Sequence, residues 1–318
     1  MASETPMVSV VIPTYNRPQL VVRAVRSALA QTLRTIEVIV VQDGPNARTL
    51  QALAQISDSR LKVQWLPENV GSAAAYNAGI AQTSASWVAF LDDDDEYLPR
   101  KLEMQLSAAQ RSSHRYPIVL CHIIGRDKSG DRVWPRRVPR PGEPISEWLF
   151  CRSSPFFGEG LVQSDMIFTH RELLQAVPLD GSLPEHDDID WSLRALAVAG
   201  VGVEFAPTRE PLAIWYLDEN RPRMSLASDW RFSLSWVADR KHLITPRAYA
   251  SFLLTWVGSD VARQGRWEAF WPLLQAAFRY GKPAVIDVLV YLGHWTLPER
   301  LKRQVAARLG RRRTAGKV

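Results

Sequence analysis

Short apolar runs alternate with helix-length stretches through the first third of the chain, and this alternation restricts the fold more than any other feature. Met7–Ile12 (MVSVVI), Ile36–Val41 (IEVIVV), Leu61–Leu66 (LKVQWL) and Trp87–Leu91 (WVAFL) have strand length and β-branched or aromatic content. Leu20–Gln31, Thr49–Ile56 and Ser72–Gln82 lie between them with helical spacing, and Pro99–Arg111 follows the last run. Asn16-Arg17-Pro18 reads as a helix start, with Asn16 as cap and Pro18 in the first turn. Strands joined by crossovers of this length make an α/β fold, a mostly parallel central sheet flanked by helices. In such sheets ligands bind at the carboxyl ends of the strands. Acidic or Gly-rich punctuation follows the first, second and fourth runs, on that one edge.

The remaining chain is organised differently. Residues 125–160 are rich in Pro, Gly and Arg and read as a long loop, which inside a compact domain is either a lid or disordered. From about Asp229 the pattern is helical and rich in Trp, so a domain change is expected near residues 221–228. This divides the chain into a catalytic domain, residues 1–225, and a helical C-terminal region with a basic tail, residues 226–318. The two cysteines, Cys121 and Cys151, form neither a disulfide framework nor a zinc cluster, and fit a reducing cytosol. The first seven residues have no signal-peptide pattern. The apolar stretch Pro283–Leu297 contains Asp287 and His294 and falls short of the roughly 20 apolar residues of a spanning helix. The expected location is cytoplasmic, or peripheral on the inner face of the membrane. Eight basic residues and one acid give Thr296–Val318 a charge of +7; the whole chain is +6, so residues 1–295 carry about −1. The basic character belongs to the tail, and nucleic-acid binding by the main domain is not expected.

Phe90-Leu91-Asp92-Asp93-Asp94-Asp95-Glu96 is the strongest chemical feature. A buried strand empties into five carboxylates, which raise one another's pKa values unless a cation is present. Hard oxygen donors suit Mg²⁺ or Mn²⁺, which take one or two carboxylates together with substrate phosphates. The alternative is a solvated acidic turn capping the following helix.

Asp43-Gly44 ends the second strand, either as an ordinary turn or as a carboxylate facing a nucleobase or ribose. Pro184–Arg194 (PEHDDIDWSLR) reads as a helix start with acids in its first turn. Glu185 and Asp190 fit dipole complementation, and His186 fits a structural role. Asp187 and Asp188 are adjacent and point in different directions from a helix, so one of them faces a cleft. A carboxylate near a helix N-terminus stays ionised, as a general base must. Pro13-Thr14-Tyr15-Asn16 stands where a dinucleotide fold has its Gly-rich turn, and no Walker A sequence occurs, so dehydrogenase and P-loop chemistry lose support.

These segments together resemble glycosyltransferase family 2, inverting transferases with the A-type glycosyltransferase fold. The resemblance runs through Val8–Arg17, Val40–Gly44, Asn69-Val70-Gly71, Asn77-Ala78-Gly79, Phe90–Asp95 with Tyr97-Leu98-Pro99, and Asp187–Asp190, over about the first 215 residues. It implies that Pro13, Thr14 and Tyr15 line a nucleobase pocket and that Asp43 contacts the base. It implies that Asp92, Asp93 and Asp94 form the D-x-D motif, with Asp92 at ribose or metal and Asp94 on the Mn²⁺ or Mg²⁺ ion. Asp188 matches the catalytic base. Gln42, Tyr76 and Asp187 stand where the family commonly has Asp, Arg and Glu. The implied reaction moves a sugar from a nucleotide-sugar, UDP being the family-weighted base, to an acceptor hydroxyl in cell-surface polysaccharide or glycolipid synthesis. The alternatives are a nucleotidyltransferase and a non-catalytic protein that binds nucleotide-sugars or docks on membranes.

The second part holds Trp230, Trp236, Trp256, Trp267, Trp271 and Trp295, interspersed with Arg263, Arg266, Arg279 and Lys282. A core position is expected for most of these tryptophans; a membrane interface is the other use of such a pattern. Leu301, Val305 and Leu309 recur among basic residues in the tail, which would draw the chain to an anionic leaflet and a lipid-linked glycan acceptor. Arg132, Arg136, Arg137 and Arg140 in the long loop are candidates to grip a diphosphate or an anionic acceptor.

Overall fold

The computed structural model describes residues 5–154, 159–218 and 229–297. They divide into two compact units, one within Met1–Pro135 and Val162–Met224, the other within Arg136–Leu161 and Ser225–Val318. The segment at which the domain change was expected, and the tail beyond Leu297, lie outside the described residues.

The first unit begins β1 (Val8–Thr14), α1 (Pro18–Leu29), β2 (Ile36–Gln42), α2 (Ala47–Leu53), β3 (Leu61–Trp65), α3 (Ser72–Ala81), β4 (Trp87–Phe90), as the alternation requires. β1 and β2 are buried along their whole length, because helices cover both faces. The first sheet has the order β3-β2-β1-β4-β9, with β9 (Phe168–His170) antiparallel to β4 and the other pairs parallel. The chain builds outward from β1 to β2 and β3, then returns to the other side of β1 for β4. The carboxyl ends of β1 and β4 therefore meet where the strand order reverses, the place at which open α/β sheets bind ligands.

Asn16 is not the cap of α1: its φ is 57°, and Arg17 holds the cap position without a side-chain cap bond. Asn tolerates the left-handed region better than other non-Gly residues, which lets the chain turn sharply between β1 and α1. Gly79 in α3 has a packing reason: a Cβ there would lie 2.4 Å from Val11 Cγ1 and 2.9 Å from Val41 Cγ2. Asn77 exchanges two hydrogen bonds with the Leu179 backbone, donating to its carbonyl at 2.8 Å and accepting from its N–H at 3.0 Å.

Further along lie β5 (Glu96–Tyr97), α4 (Lys101–Arg111), β6 (Tyr116–Leu120), β7 (Ile123–Asp127) and β8 (Gly130–Trp134). Then come α5 (Ile145–Phe150), β9, α6 (Arg171–Ala176), α7 (Asp187–Leu196), β10 (Val201–Phe205) and β11 (Ala213–Tyr216). The order β5-β11-β7-β8 forms a second sheet, and β10 pairs with β6. The stretch expected as one long loop thus contains a hairpin and a helix. Its Pro, Gly and Arg content belongs to the turn at Gly130 (φ 117°) and to surface ion pairs. Arg126 grips Asp131 at 2.8 and 2.7 Å, Arg132 pairs with Asp127, and Arg137 holds Glu143 through two bonds of 2.7 Å. Arg132 and Arg137 therefore have carboxylate partners within their own segment.

The second unit contains α5, α8 (Trp230–Asp239), α9 (Pro246–Ser251), α10 (Gly258–Arg263), α11 (Phe270–Tyr280) and α12 (Val285–Thr296), with a π-helical stretch Phe252–Val257 joining α9 to α10. Trp148, Trp236, Tyr249, Phe252 and Tyr291 fill its core. Ser251 Oγ ties Asp287 at the start of α12 to the Phe150 carbonyl at the end of α5, both at 2.8 Å. Trp230, Trp236 and Trp295 are core residues, as expected, but Trp267 and Trp271 are 60% and 64% exposed.

Candidate active site

The β4 strand ends at Phe90, and Leu91 N–H still bonds to Val11 O of β1 at 3.1 Å. The chain then turns within Asp92–Asp95, closed by Asp95 N–H on Asp92 O at 3.2 Å, and enters β5. This turn packs five carboxylates into one place, and each has partners of its own. Thr14 at the end of β1 donates through Oγ1 to Asp93 Oδ2 at 2.7 Å, so the strand-order reversal is bridged directly. Arg17 Nη1 lies 2.8 Å from Asp93 Oδ1 and 2.8 Å from Asp94 Oδ2. Arg23 Nε is 3.3 Å from Glu96 Oε1, and Tyr216 Oη donates to the same oxygen at 2.7 Å. Asp92 accepts from Tyr76 Oη at 2.8 Å on Oδ1 and from Gln163 Nε2 at 3.1 Å on Oδ2. Asp95 accepts the Tyr216 backbone N–H at 2.8 Å.

Beneath the turn lies Asp165, fully buried in a short 3-10 turn, Ser164–Met166. Its Oδ1 accepts the Asp92 backbone N–H at 2.8 Å. Burial, then the Asp165 carboxylate, raises Asp92 and Asp95 well above the usual carboxylate range. Asp165 Oδ2 is buried without a hydrogen-bond donor. The mutual elevation expected for crowded acids thus falls on the inner acids Asp92, Asp95 and Asp165, whereas Asp93 and Asp94 face a guanidinium.

Oxygens of Asp92, Asp94 and Asp95 lie within 4.8 Å of one another. Three convergent carboxylates are a hard donor set, and they fit Mg²⁺ or Mn²⁺ rather than a thiolate- or imidazole-loving metal. Asp94 and Asp92, the expected ligands, both belong to the group.

Asp43 lies at the end of β2, buried, and both of its oxygens are engaged: Oδ1 accepts Val70 N–H at 2.7 Å and Oδ2 accepts Gly71 N–H at 3.0 Å. It holds the loop that starts α3, where Gly71 has a φ of 88°. Pro13 is buried in β1, and Tyr15 is 50% exposed just past it.

Asp187 and Asp188 open α7, behind His186 in the left-handed conformation (φ 67°). Burial presses His186 down to about 4, which leaves it neutral at pH 7. Asp190 is buried in the first turn of α7 and bonded to Arg194 Nε at 2.6 Å. Asp188 differs from the simple helix-start argument. Burial, with Asp187 alongside, pushes it up to about 8 despite the Ile189 N–H that donates to Oδ1 at 2.7 Å. Asp165 is among the charges acting on Asp188, and Asp187 among those acting on Asp92. Both acids at the start of α7 therefore lie in the field of the strand-end cluster, where helix geometry alone suggested one.

Arg23, Gln163, Asp165 and Tyr216 were not singled out in the sequence. Gln163 and Asp165 sit in a segment with no periodicity, and Arg23 and Tyr216 become neighbours of Glu96 only through folding; Arg23 stacks 4.1 Å over the Tyr216 ring.

Residues 9–177 match the family model described as Glycosyl transferase family 2. The chain belongs to glycosyltransferase family 2. Among its relatives is the amylovoran biosynthesis glycosyltransferase AmsB of Erwinia amylovora, 28% identical over 250 residues, which are 75% of this chain and 79% of AmsB. The succinoglycan biosynthesis protein ExoO of Rhizobium meliloti (strain 1021) is 34% identical over 204 residues, 62% of this chain and 58% of ExoO. The Escherichia coli UDP-Glc:alpha-D-GlcNAc-diphosphoundecaprenol beta-1,3-glucosyltransferase WfgD is 35% identical over 133 residues, 42% of this chain and 53% of WfgD. Among solved structures, S. aureus TarS 1-349 in complex with UDP-GlcNAc has a TM-score of 0.57 at 18% identity, covering 91% of this chain and 90% of that one. The mannosyltransferase PcManGT of Pyrobaculum calidifontis, in complex with GDP-Man and Mn2+, has a TM-score of 0.57 at 16% identity, covering 96% and 84%. The fold is that of the A-type glycosyltransferases, and the family 2 chain is a glycosyltransferase, which sets aside the nucleotidyltransferase and non-catalytic readings.

Proposed function

We propose that the chain transfers a sugar from a UDP-sugar to an acceptor hydroxyl of a lipid-linked glycan in cell-surface polysaccharide synthesis, with inversion at the anomeric carbon, on the cytoplasmic side of the membrane. The observation that carries this reading is the shared field of two carboxylate groups. Asp92, Asp94 and Asp95 converge within 4.8 Å, and Asp188 is pushed up to about 8 by burial, with Asp187 alongside and Asp165, the acid beneath that turn, also acting on it.

In this reading Pro13, Thr14, Tyr15 and Asp43 receive the nucleobase, and Asp92 and Asp93 the ribose side of the donor. Asp94 and Asp92 would hold Mn²⁺ or Mg²⁺, and the ion supplies positive charge against the diphosphate leaving group. Asp188 takes the proton of the acceptor hydroxyl; an acid pushed up to about 8 is a stronger base than an ordinary carboxylate and is poised near working pH. A single displacement needs no carboxylic acid on the leaving side, unlike the paired carboxylates of glycosidases. The names of AmsB, ExoO and WfgD support polysaccharide synthesis as the setting, WfgD supports UDP and a lipid-linked acceptor, and PcManGT supports Mn²⁺. The basic tail adds attraction to an anionic leaflet, about 1 kcal/mol per basic residue near the surface.

Thermal unfolding with UDP, GDP, dTDP or CDP, each with and without Mn²⁺, tests this. Ligand at about 100 times its dissociation constant adds roughly 2.7 kcal/mol, a rise of roughly 5–10 °C for a unit of this size. The reading requires a rise with UDP that depends on Mn²⁺. A flat response to all four nucleotides contradicts it.

A further inference from the structure

The last two helices among the described residues, α11 and α12, carry apolar side chains on their water-facing sides. Trp267 is 60% exposed, Trp271 64% and Phe278 58%; on α12, Val285 is 77%, Leu289 61% and Leu292 39%. The spacing is that of two stripes. Trp271 and Phe278 on α11 are seven residues apart, and Val285, Leu289 and Leu292 on α12 are separated by four and three, so each helix carries its set along one side; Trp267 precedes α11 in the 3-10 turn Trp267–Ala269. Trp267, at the head of the first stripe, packs 4.7 Å from Trp295 near the end of α12. The inner sides of the same helices are ordinary core: Leu273, Ala277 and Tyr291 are fully buried. Scattered exposed apolar residues need no explanation, but a contiguous set marks an interaction surface.

The charges nearby select the partner. Arg279 and Lys282 are exposed beside the stripes and form no ion pair among the described residues. From the last residue of α12 the sequence Thr296–Val318 carries +7, in a chain whose other residues carry about −1. Exposed Trp, Phe and Leu flanked by unpaired cations are the composition of a helix that lies in the plane of an anionic bilayer surface. No helix among the described residues is long and apolar enough to cross a membrane. α12 has 12 residues, a length of about 18 Å against a hydrocarbon core of about 30 Å.

We propose that the outer stripes of α11 and α12, with Trp267 ahead of them, dock the protein on the surface of a membrane rich in anionic lipid. The stripes enter the headgroup boundary while Arg279 and Lys282 meet the lipid phosphates. This deepens the proposed function, because it rests on the acceptor being lipid-linked. It adds a surface that the tail alone does not provide.

Co-sedimentation of the full chain with vesicles is the test, using phosphatidylcholine alone and phosphatidylcholine mixed with phosphatidylglycerol. The wild type binds the mixed vesicles, and its tryptophan emission shifts to shorter wavelength. Trp271→Ser with Leu289→Ser lowers binding at least about tenfold, since both side chains leave the apolar boundary. Arg279→Glu with Lys282→Glu lowers binding to mixed vesicles and leaves the weak binding to phosphatidylcholine unchanged. All four positions are exposed, so folding is retained, and an unchanged Tm verifies it. The UDP and Mn²⁺ thermal shift, run on the same samples, reports the donor site separately: a normal shift without vesicle binding defeats only the docking surface, and vesicle binding without a shift defeats only the donor reading. Unchanged vesicle binding by the Ser variant overturns the proposal. So does a dimer that the Ser variant dissociates, which would assign the stripes to a second copy. A rise in acrylamide quenching of tryptophan on deleting residues 298–318 also overturns it, because the tail would then be what covers the stripes.

Discussion

Arg17 Nη1 stands 2.8 Å from Asp94 Oδ2, with Asp93 Oδ1 equally near. One guanidinium thus neutralises two of the acids that end β4, at the corner where the metal-binding reading puts a divalent ion. In that reading Arg17 and the ion would compete for the Asp94 carboxylate. We expect Arg17→Ala, without nucleotide, to bind Mn²⁺ about tenfold more tightly, equivalent to ~1.4 kcal/mol. Arg17→Lys retains the charge and moves affinity less. Titration followed by the Mn²⁺ spin signal measures both; weaker binding by the Ala variant would refute the competition.

Asp43 holds two backbone N–H groups at the entry to α3. A hydrogen bond to a charged group contributes ~1.5–3 kcal/mol, less where the donor reaches water as at Val70, which is 39% exposed. Asp43→Ala should therefore lower Tm by roughly 5–10 °C with no nucleotide present, and Asp43→Asn by less. A loss seen only in nucleotide affinity, with Tm unchanged, would mean that the carboxylate serves the ligand and not the loop.

A methyl group at residue 79 meets Val11 and Val41 inside van der Waals distance. Gly79→Ala should cost ~1–3 kcal/mol by overpacking. Val11→Ala in the same chain makes room, so a double-mutant cycle in urea should show a coupling of about 1 kcal/mol. Strict additivity would contradict the close approach of α3 to the sheet.

These residues show how much of the molecule was legible. The strand runs and helix periods of residues 7–111 appear in the structure in order, because each depends on local spacing and on burial on both faces. The acidic turn was legible because its residues are consecutive. Its counter-charges were not: Arg17 and Arg23 reach it from α1 and the turn before it, and Asp165 and Gln163 from a short turn about 70 residues later. Only the order β3-β2-β1-β4-β9 brings them together. The hairpin of β7 and β8 was hidden by its Pro- and Arg-rich surroundings, since its strands are short and β8 is largely exposed. Asn77 and Gly79 were visible as a motif, but their packing reasons required Leu179 and Val11 to be placed.

Asp188 sets a pH dependence whose sign is fixed. Its folded value is pushed up to about 8 from an ordinary 3.8. Between those values the unfolded chain binds fewer protons than the folded one, so this group lowers stability as pH rises. Asp188→Asn removes that loss. Relative to wild type, its Tm without ligand should rise between about pH 5 and about pH 8, by roughly 2–4 °C for each ~1 kcal/mol recovered. A constant difference in Tm across that range would show that Asp188 titrates as an exposed acid.

The most direct test of the central claim sets Asp188→Asn beside Asp94→Ala and follows UDP-sugar turnover and UDP binding with Mn²⁺ on the same preparations. The account predicts that Asp188→Asn abolishes transfer and keeps metal-dependent UDP binding, whereas Asp94→Ala loses both. Near-normal turnover by Asp188→Asn would contradict the assignment of the base, and Mn²⁺-dependent UDP binding by Asp94→Ala would contradict the assignment of the metal site.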